Sequence, residues 1–235
     1  MLWALGIGAL AYLLGSVPAS YLAGKLRGID LRQHGTTQVG GGNLWRMTSW
    51  KLGLPVGFFD LSKGVVMVWA AQSLGLSVVQ QLAVGAAAVV GHNWSLFLRF
   101  GGGRGIATTM GIVLVLPFLG EVTPWPTIAC LSCVVFGSVL LRSSPLPVLA
   151  GVTSLPVVGA IYEPAATALG LLFFWVIVVI KRLVAPRAAE ATSISKKKVL
   201  LNRLLFDRDI MDRKGWMYRL PFKAKDMEEL SDGLD

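Results

Sequence analysis

The sequence predicts an all-α, polytopic integral membrane protein of about seven transmembrane helices, with its N-terminus outside and its C-terminus cytoplasmic. Three observations carry that prediction. Of 235 residues, 54% are hydrophobic and only 15% are charged, against about 25% charged in a soluble domain. The apolar residues fall in long blocks rather than amphipathic stripes, and the mean hydropathy is +0.64. The net charge of +9 sits in the gaps between those blocks, which reads as membrane topology and not as a nucleic-acid footprint.

The candidate spans are 2–24, 53–74, 82–98, 106–120, 125–141, 145–162 and 164–180. The first carries no charge before Lys25. A cleaved signal peptide places positive charge ahead of its apolar region, so a retained first span is expected. A helix needs about 20 residues to cross, which makes 106–120 short and leaves 82–98 and 145–162 near the lower limit. Pro145, Pro147 and Pro156 make the sixth span irregular, which membrane helices tolerate. Cys130 and Cys133 form a lone C-x-x-C inside an apolar block. Zinc needs further ligands, so they read as small packing residues.

Charge fixes the expected topology. The segment 25–51 holds Lys25, Arg27, Arg32, Arg46 and Lys51, whereas the connections at 75–81, 121–124 and 163 hold only Glu121 and Glu163. Seven spans place every Lys and Arg on or near the cytoplasmic face. Removing 106–120 would move Arg142 and the thirteen Lys and Arg beyond residue 180 outward, so the short span is kept. The chain divides into a membrane domain, 1–182, and a basic, amphipathic cytoplasmic tail, 183–235. In the tail Val199-Leu-Leu-Asn-Arg-Leu-Leu-Phe206 has the pattern of a short amphipathic helix. Arg213-Lys-Gly-Trp-Met-Tyr-Arg-Leu-Pro-Phe-Lys223 mixes aromatics with cations, as interfacial segments do. The last ten residues, acidic and polar, are expected to be mobile. No internal repeat supports an inverted-repeat transporter.

The unusual polar residues all fall on the expected cytoplasmic side. His34-Gly-Thr-Thr-Gln-Val-Gly-Gly-Gly-Asn-Leu-Trp-Arg46 offers hydroxyls, amides and a terminal guanidinium among glycines. It is either an anion loop or a plain glycine turn before an amphipathic helix. Asp60 and Lys63, three apart at the inner end of span two, can face each other on one helix. Intramembrane charges are costly and often functional, although Lys63 could simply snorkel. His92 is placed two turns before the inner end of span three, as a hydrogen-bonded structural residue or a proton carrier.

Arg99-Phe-Gly-Gly-Gly-Arg-Gly-Ile-Ala-Thr-Thr109 joins three glycines to a planar, permanent cation where an apolar helix begins. That composition suits an anion cradle at a helix N-terminus, and equally a flexible basic loop between membrane helices. Neither glycine cluster is a Walker A loop. No H-x-x-x-x-D acyltransferase signature exists, since Val39 and Phe97 stand five residues after His34 and His92. No Ser-His-Asp set or metal-ligand cluster is visible, so neither a metal nor a cofactor is expected.

Taken in order, these motifs resemble one family. The chain has G-T-x-x-x-G-x-x-N-x-x-R at Gly35, Thr36, Gly40, Asn43 and Arg46, then D-x-x-K-G at Asp60, Lys63 and Gly64. The most specific match is G-H-x-x-x-x-F-x-x-F-x-G-G-R-G-x-A-T, through Gly91, His92, Phe97, Phe100, Gly102, Gly103, Arg104, Gly105, Ala107 and Thr108. This is similar to the bacterial acyl-phosphate-dependent glycerol-3-phosphate acyltransferases, seven-helix inner-membrane enzymes of phospholipid biosynthesis. The resemblance covers roughly residues 5–182.

It implies acyl transfer from acyl phosphate to the sn-1 hydroxyl of glycerol 3-phosphate, giving lysophosphatidate and phosphate at a site facing the cytoplasm. The acceptor's own phosphate would take the hydroxyl proton, so no side-chain base is needed. Thr36, Asn43 and Arg104 are the implied catalytic set. Gly40, Gly42, Arg46, Lys63, His92, Gly102, Gly103, Gly105 and Thr108 would bind phosphate, with Asp60 in support. The acyl chain would lie between helices, open to the membrane lipids. The oligomeric state stays open.

The sequence departs from the family pattern in four places. Thr36-Thr37-Gln38 stands where the family has Ser-Gly-Asn, and Arg104 replaces a usual lysine. A serine expected at the start of span six aligns with Pro145, beside Ser143 and Ser144. The third motif, a His and an Asn after the last span, has only an echo in Asn202-Arg-Leu-Leu205. A non-catalytic homologue that binds anionic lipid headgroups is therefore the alternative, with a membrane transporter behind it.

Overall fold

The computed structural model describes residues 2–120, 122–185, 191 and 193–217. Glu121, the segment 218–223 and the acidic last ten residues lie outside the described residues. The elements are helical throughout: α1 (Leu2–Ser16), α2 (Ala19–Lys25), α3 (Gly41–Met47), α4 (Trp50–Ser73), α5 (Val78–Asn93), a 3-10 turn (Leu96–Leu98), α6 (Ile106–Phe118), α7 (Pro124–Leu141), α8 (Pro145–Tyr162), α9 (Ala165–Leu183), α10 (Lys196–Phe206) and α11 (Arg213–Met217). An isolated antiparallel bridge joins Ser95 to Gly101.

Among the described residues five helical stretches are long and apolar enough to cross a membrane: Leu5–Lys25, Trp50–Ser73, Pro124–Leu141, Pro145–Tyr162 and Ala165–Leu183. The other expected spans are shorter. The third ends at Asn93 rather than residue 98, because the chain there turns into the 3-10 segment and the bridge. At about 1.5 Å per residue, α5 covers about 24 Å and α6 about 20 Å, less than the roughly 30 Å hydrocarbon layer. Both are central helices. Residues Val84, Ala86, Ala88 and Val89 of α5 and Ile112, Val113 and Leu116 of α6 are buried. The long helices instead expose Phe136, Leu140, Val157 and Leu169 on their outer faces. Such a surface suits lipid, not water.

Small residues let the inner helices touch. A Cβ on Gly15 would meet the Ala88 carbonyl at 2.1 Å, and one on Gly91 would meet that of Tyr12 at 2.1 Å, so α1 and α5 pack backbone to backbone. The first span, expected over 2–24 and found at Leu5–Lys25, is not one unbroken helix. It breaks at Val17-Pro18, where proline removes an amide donor, and resumes as α2.

That break is closed by a lysine. Lys63 Nζ donates to Val17 O at 2.7 Å and Gly15 O at 3.3 Å, placing a cation on the carbonyls that end α1, where Val17 O also accepts from Ala19 N at 3.1 Å. The same ammonium donates to Asp60 Oδ1 at 2.7 Å. Asp60 and Lys63 lie ten and thirteen residues inside α4 (Trp50–Ser73) and are only 2% and 1% exposed. The pair is thus deeper than expected, and Lys63 turns inward instead of snorkelling. Thr108 Oγ1 donates to Asp60 O at 2.8 Å, and Ser20 Oγ lies 3.5 Å from Asp60 Oδ2. One ion pair therefore ties α1, α2, α4 and α6 together.

The two ends of the bundle differ. One end is closed by Gln72 donating to Leu119 O at 3.1 Å and by Thr123 donating to Glu163 Oε1 from its amide at 2.8 Å and its hydroxyl at 2.5 Å. The basic connections gather at the other. Removing one partner of a buried pair leaves an uncompensated charge, costing about 3–5 kcal/mol. Lys63→Met is expected to lower stability by that order in detergent-micelle unfolding. Asp60→Asn combined with Lys63→Met should cost less than the two single changes added together.

Candidate functional site

The basic end of the bundle opens into a cavity of about 350 Å³. Four separate segments supply most of its lining, the loop into α3, the glycine turn before α6, the start of α8 and the tail, and Asp60, His92 and Arg182 complete it. Each is held there by identifiable contacts.

The first loop is folded around Asn43, which is 3% exposed. Its Nδ2 donates to the carbonyls of Leu31 at 3.3 Å, His34 at 3.0 Å and Gln38 at 3.0 Å, and its Oδ1 accepts from the Thr36 amide at 3.0 Å. Gly35 makes this possible. Its φ is +62°, and a Cβ there would lie 2.3 Å from Asn43 Oδ1. Thr37, where the resembled family has glycine, keeps the left-handed conformation at φ +59°, an uncommon state for a β-branched residue. Upstream, Asp30 pairs with Arg32 at 2.8 Å and Lys25 at 3.1 Å. The Arg32 hydrogen bonds hold the Asp30 carboxyl well below the usual range. Arg46, on the last turn of α3, donates to Gly42 O at 3.1 Å and faces the cavity.

The second loop rests on the end of α5. Gly103 N donates to His92 O at 3.0 Å, and a Cβ at residue 103 would fall 2.1 Å from His92 Nε2. His92 is the penultimate residue of α5 (Val78–Asn93), not two turns inside it, because the helix stops early. Its Nδ1 lies 3.5 Å from Asp60 Oδ1. The hydrogen bonds of Gly101 and Gly103 are internal, so only part of the glycine run can face a ligand. The N-terminal end of α6, through Gly105, Ile106 and Ala107, does line the cavity, with the favourable end of the helix dipole.

Arg104 is the hinge between this loop and the tail. Its Nη1 donates to Lys181 O, and Lys181 Nζ donates in turn to Asn93 O. Its Nε lies 2.9 Å from Asp207 Oδ1, although neither atom has an aligned hydrogen bond. Asp207 Oδ2 accepts from Gln38 Nε2 at 2.9 Å. A carboxylate thus bridges the two glycine loops.

Of the sequence-predicted residues, the cavity gathers Thr36, Gly40, Gly42, Asn43, Arg46, Asp60, His92, Gly103, Arg104 and Gly105. Lys63, Gly102 and Thr108 are not among its lining. Lys63 and Thr108 meet Asp60 from behind, and Gly102 lines a small crevice of about 10 Å³ beside Ser16 and Leu98. No group of three or more His, Cys, Asp and Glu able to hold a metal occurs among the described residues.

Sequence reasoning missed the tail's share. Asp207, Arg208 and Arg213 all line the cavity, beside Arg182 at the end of α9 and Ser143 and Ser144. Arg182 is 2% exposed and donates to Leu204 O at 2.8 Å and Pro145 O at 3.0 Å. Arg203 donates to Leu183 O at 2.8 Å and to Asp209 at 2.6 and 3.0 Å, while Asn202 donates to Asp209 O at 2.9 Å. These bonds fasten α10 to the end of α9. The available signal was the Asn202-Arg-Leu-Leu205 echo, which ends two residues before Asp207.

Comparison with known proteins follows the same residues. The chain matches the family profile described as glycerol-3-phosphate acyltransferase over residues 5–188. It is 37% identical over 216 residues to glycerol-3-phosphate acyltransferase 4 of Dehalococcoides mccartyi, covering 88% of this chain and 90% of that one. It is 47% identical over 107 residues to the glycerol-3-phosphate acyltransferase of Thermus thermophilus, covering 46% and 54%. A crystal structure of PlsY, an integral membrane glycerol 3-phosphate acyltransferase in its glycerol 3-phosphate form, superposes with a TM-score of 0.69 at 26% identity, covering 76% of this chain and 88% of that one. The lysophosphatidic acid form gives 0.66 at 25% identity, covering 76% and 87%.

The Asn43 clamp is directly testable. Gly35→Ala pushes a methyl into Asn43 Oδ1 at a positive φ, for about 1–3 kcal/mol of strain. The expected outcome is lost amide protection at Thr36 in hydrogen exchange, with protection in α7 and α8 unchanged.

Proposed function

The chain belongs to the glycerol-3-phosphate acyltransferase family, and we propose that its cavity carries acyl transfer from acyl phosphate to the sn-1 hydroxyl of glycerol 3-phosphate. It is an acyltransferase of the membrane. One observation supports this reading most: the cavity draws together two glycine loops, each with an arginine, and a carboxylate already stands against Arg104 where a phosphate oxygen would go.

In the proposed reaction the acceptor oxygen attacks the acyl carbonyl carbon. The new ester C–O bond forms as the bond from that carbon to the phosphate oxygen breaks, and inorganic phosphate leaves. The hydroxyl proton passes to the acceptor's own phosphate, as the family resemblance implies. The protein's part is positioning and charge stabilisation. Arg104 and Arg46 would hold phosphate oxygens, and the start of α6 would face the developing oxyanion. Thr36, at the cavity, would orient the acceptor. Gly40 and Gly42 would let the phosphate approach the backbone, as would Gly103 and Gly105 in the second loop, while Gly102 would let that loop pack against the end of α5. Asn43 would act through the loop it clamps. Lys63, Asp60, His92 and Thr108 would fix the floor beneath the phosphates.

The site would face the cytoplasm, since the basic connections share its end of the bundle and positive loops stay inside. The membrane domain, 1–182, would bind both substrates, with the tail, 183–235, closing the cavity over them.

Purified protein given palmitoyl phosphate and labelled glycerol 3-phosphate should yield labelled lysophosphatidate. Each charge-assisted phosphate bond is worth about 1.5–3 kcal/mol, so Arg104→Ala should cut the rate roughly 10- to 100-fold. Headgroup binding without product, or a requirement for acyl-CoA in place of acyl phosphate, would overturn the reading. Asp207→Asn removes the resident carboxylate charge and is expected to lower the apparent KM for one phosphate substrate roughly 2- to 5-fold, the scale of a partly screened ion pair.

A further inference from the structure

The C-terminal segment brings two guanidinium groups to the cavity that neither glycine loop supplies. Arg208 follows Asp207 beyond α10, and Arg213 opens α11. Both line the cavity together with Arg46. The cationic lining falls into two groups. Arg104 and Arg182 form one, and there Asp207 provides a counter-charge against Arg104.

The second group has no such ion pair. Among the described residues no ion pair reaches Arg46, Arg208 or Arg213. Arg46 donates only to the Gly42 carbonyl, and Arg213 to that of Arg142 at 3.1 Å. The Arg208 guanidinium stands 5.2 Å over the Phe206 ring, and its Nε is buried without a hydrogen-bond partner. Burial, and then the charge of Arg213, hold both Arg46 and Arg208 below the usual arginine value. Asp212 acts the other way on Arg208, but its carboxylate caps α11 through the amides of Lys214 at 2.9 Å and Gly215 at 3.0 Å. Three guanidiniums converging on one cavity repel each other, and a bidentate dianion relieves that repulsion.

We propose that Arg46, Arg208 and Arg213 form a second phosphate seat, separate from the Arg104 corner, so that the tail supplies binding residues for one of the two phosphorylated substrates. This rests on the two-phosphate reaction proposed above. The ligand chemistry is a phosphate dianion, carried by either the acyl phosphate or glycerol 3-phosphate.

The test uses the full chain in lipid nanodiscs, with Arg208→Gln and Arg213→Gln, and the exposed Lys214→Gln as control. KM is measured for palmitoyl phosphate and for glycerol 3-phosphate, each with the other saturating. Calorimetry gives Kd for glycerol 3-phosphate and for a non-hydrolysable palmitoyl phosphonate. The expected result is a rise in KM and Kd of roughly 10- to 100-fold for one ligand only, with Lys214→Gln unchanged and Arg213→Lys partly retained. A rise for the palmitoyl ligand seats the donor there, and a rise for glycerol 3-phosphate seats the acceptor. Unchanged affinity for both ligands, or a fall in kcat alone, overturns the proposal. If wild-type protein binds both ligands without turnover, the reaction reading fails while the Kd comparison still decides the seat. Arg213 is exposed, so its variants keep the test open should Arg208→Gln not fold.

Discussion

Everything at the cavity depends on the buried Asp60–Lys63 pair. A buried ion pair is poor evidence of net stability, because desolvation offsets much of the attraction. Here the pair does something an apolar substitute could not. Pro18 breaks the first span, and the carbonyls of Gly15 and Val17, the latter already bonded to the Ala19 amide, call for further donors inside a membrane. Lys63 supplies them, and Asp60 neutralises Lys63 while accepting or facing His92, Ser20 and Thr108. The break, the helix ends and the floor of the cavity are thus one electrostatic unit.

Above that floor the site is assembled by carbonyl and amide bonding rather than by rigid helices alone. Asn43 fixes one loop and the end of α5 fixes the other. The two loops meet through Asp207. The departures from the family pattern become intelligible in this arrangement. Thr37 adopts the conformation a glycine would, and Gln38, longer than asparagine, reaches the tail carboxylate. Arg104, in place of lysine, has enough donors to engage Lys181 O and face Asp207 together.

The sequence made the membrane class, the apolar blocks and both glycine loops legible, because hydropathy and short motifs are local signals. Residues 35–46, 60–63 and 102–108 could be picked out from composition and spacing. What resisted reading was non-local. Nothing near residue 60 says that Lys63 turns toward a broken helix rather than toward water. His92 was misplaced along its helix because the apolar run continues past Asn93 to Leu98 while the hydrogen-bond ladder stops. The tail looked like an interfacial appendage because its cations resemble membrane-surface residues. Their use as a cavity wall follows only from the bonds of Arg182 and Arg203 that fold α10 back.

The contact between Gln38 and Asp207 spans 169 positions. Synthesis proceeds from the N-terminus, so both glycine loops leave the ribosome long before the residue that bridges them. A nascent or truncated chain stopping short of Asp207 would hold every motif that identifies the family, yet its cavity would be unwalled. Completion of the site is therefore a late event in the life of the chain, timed by its last described helices rather than by its signature sequences.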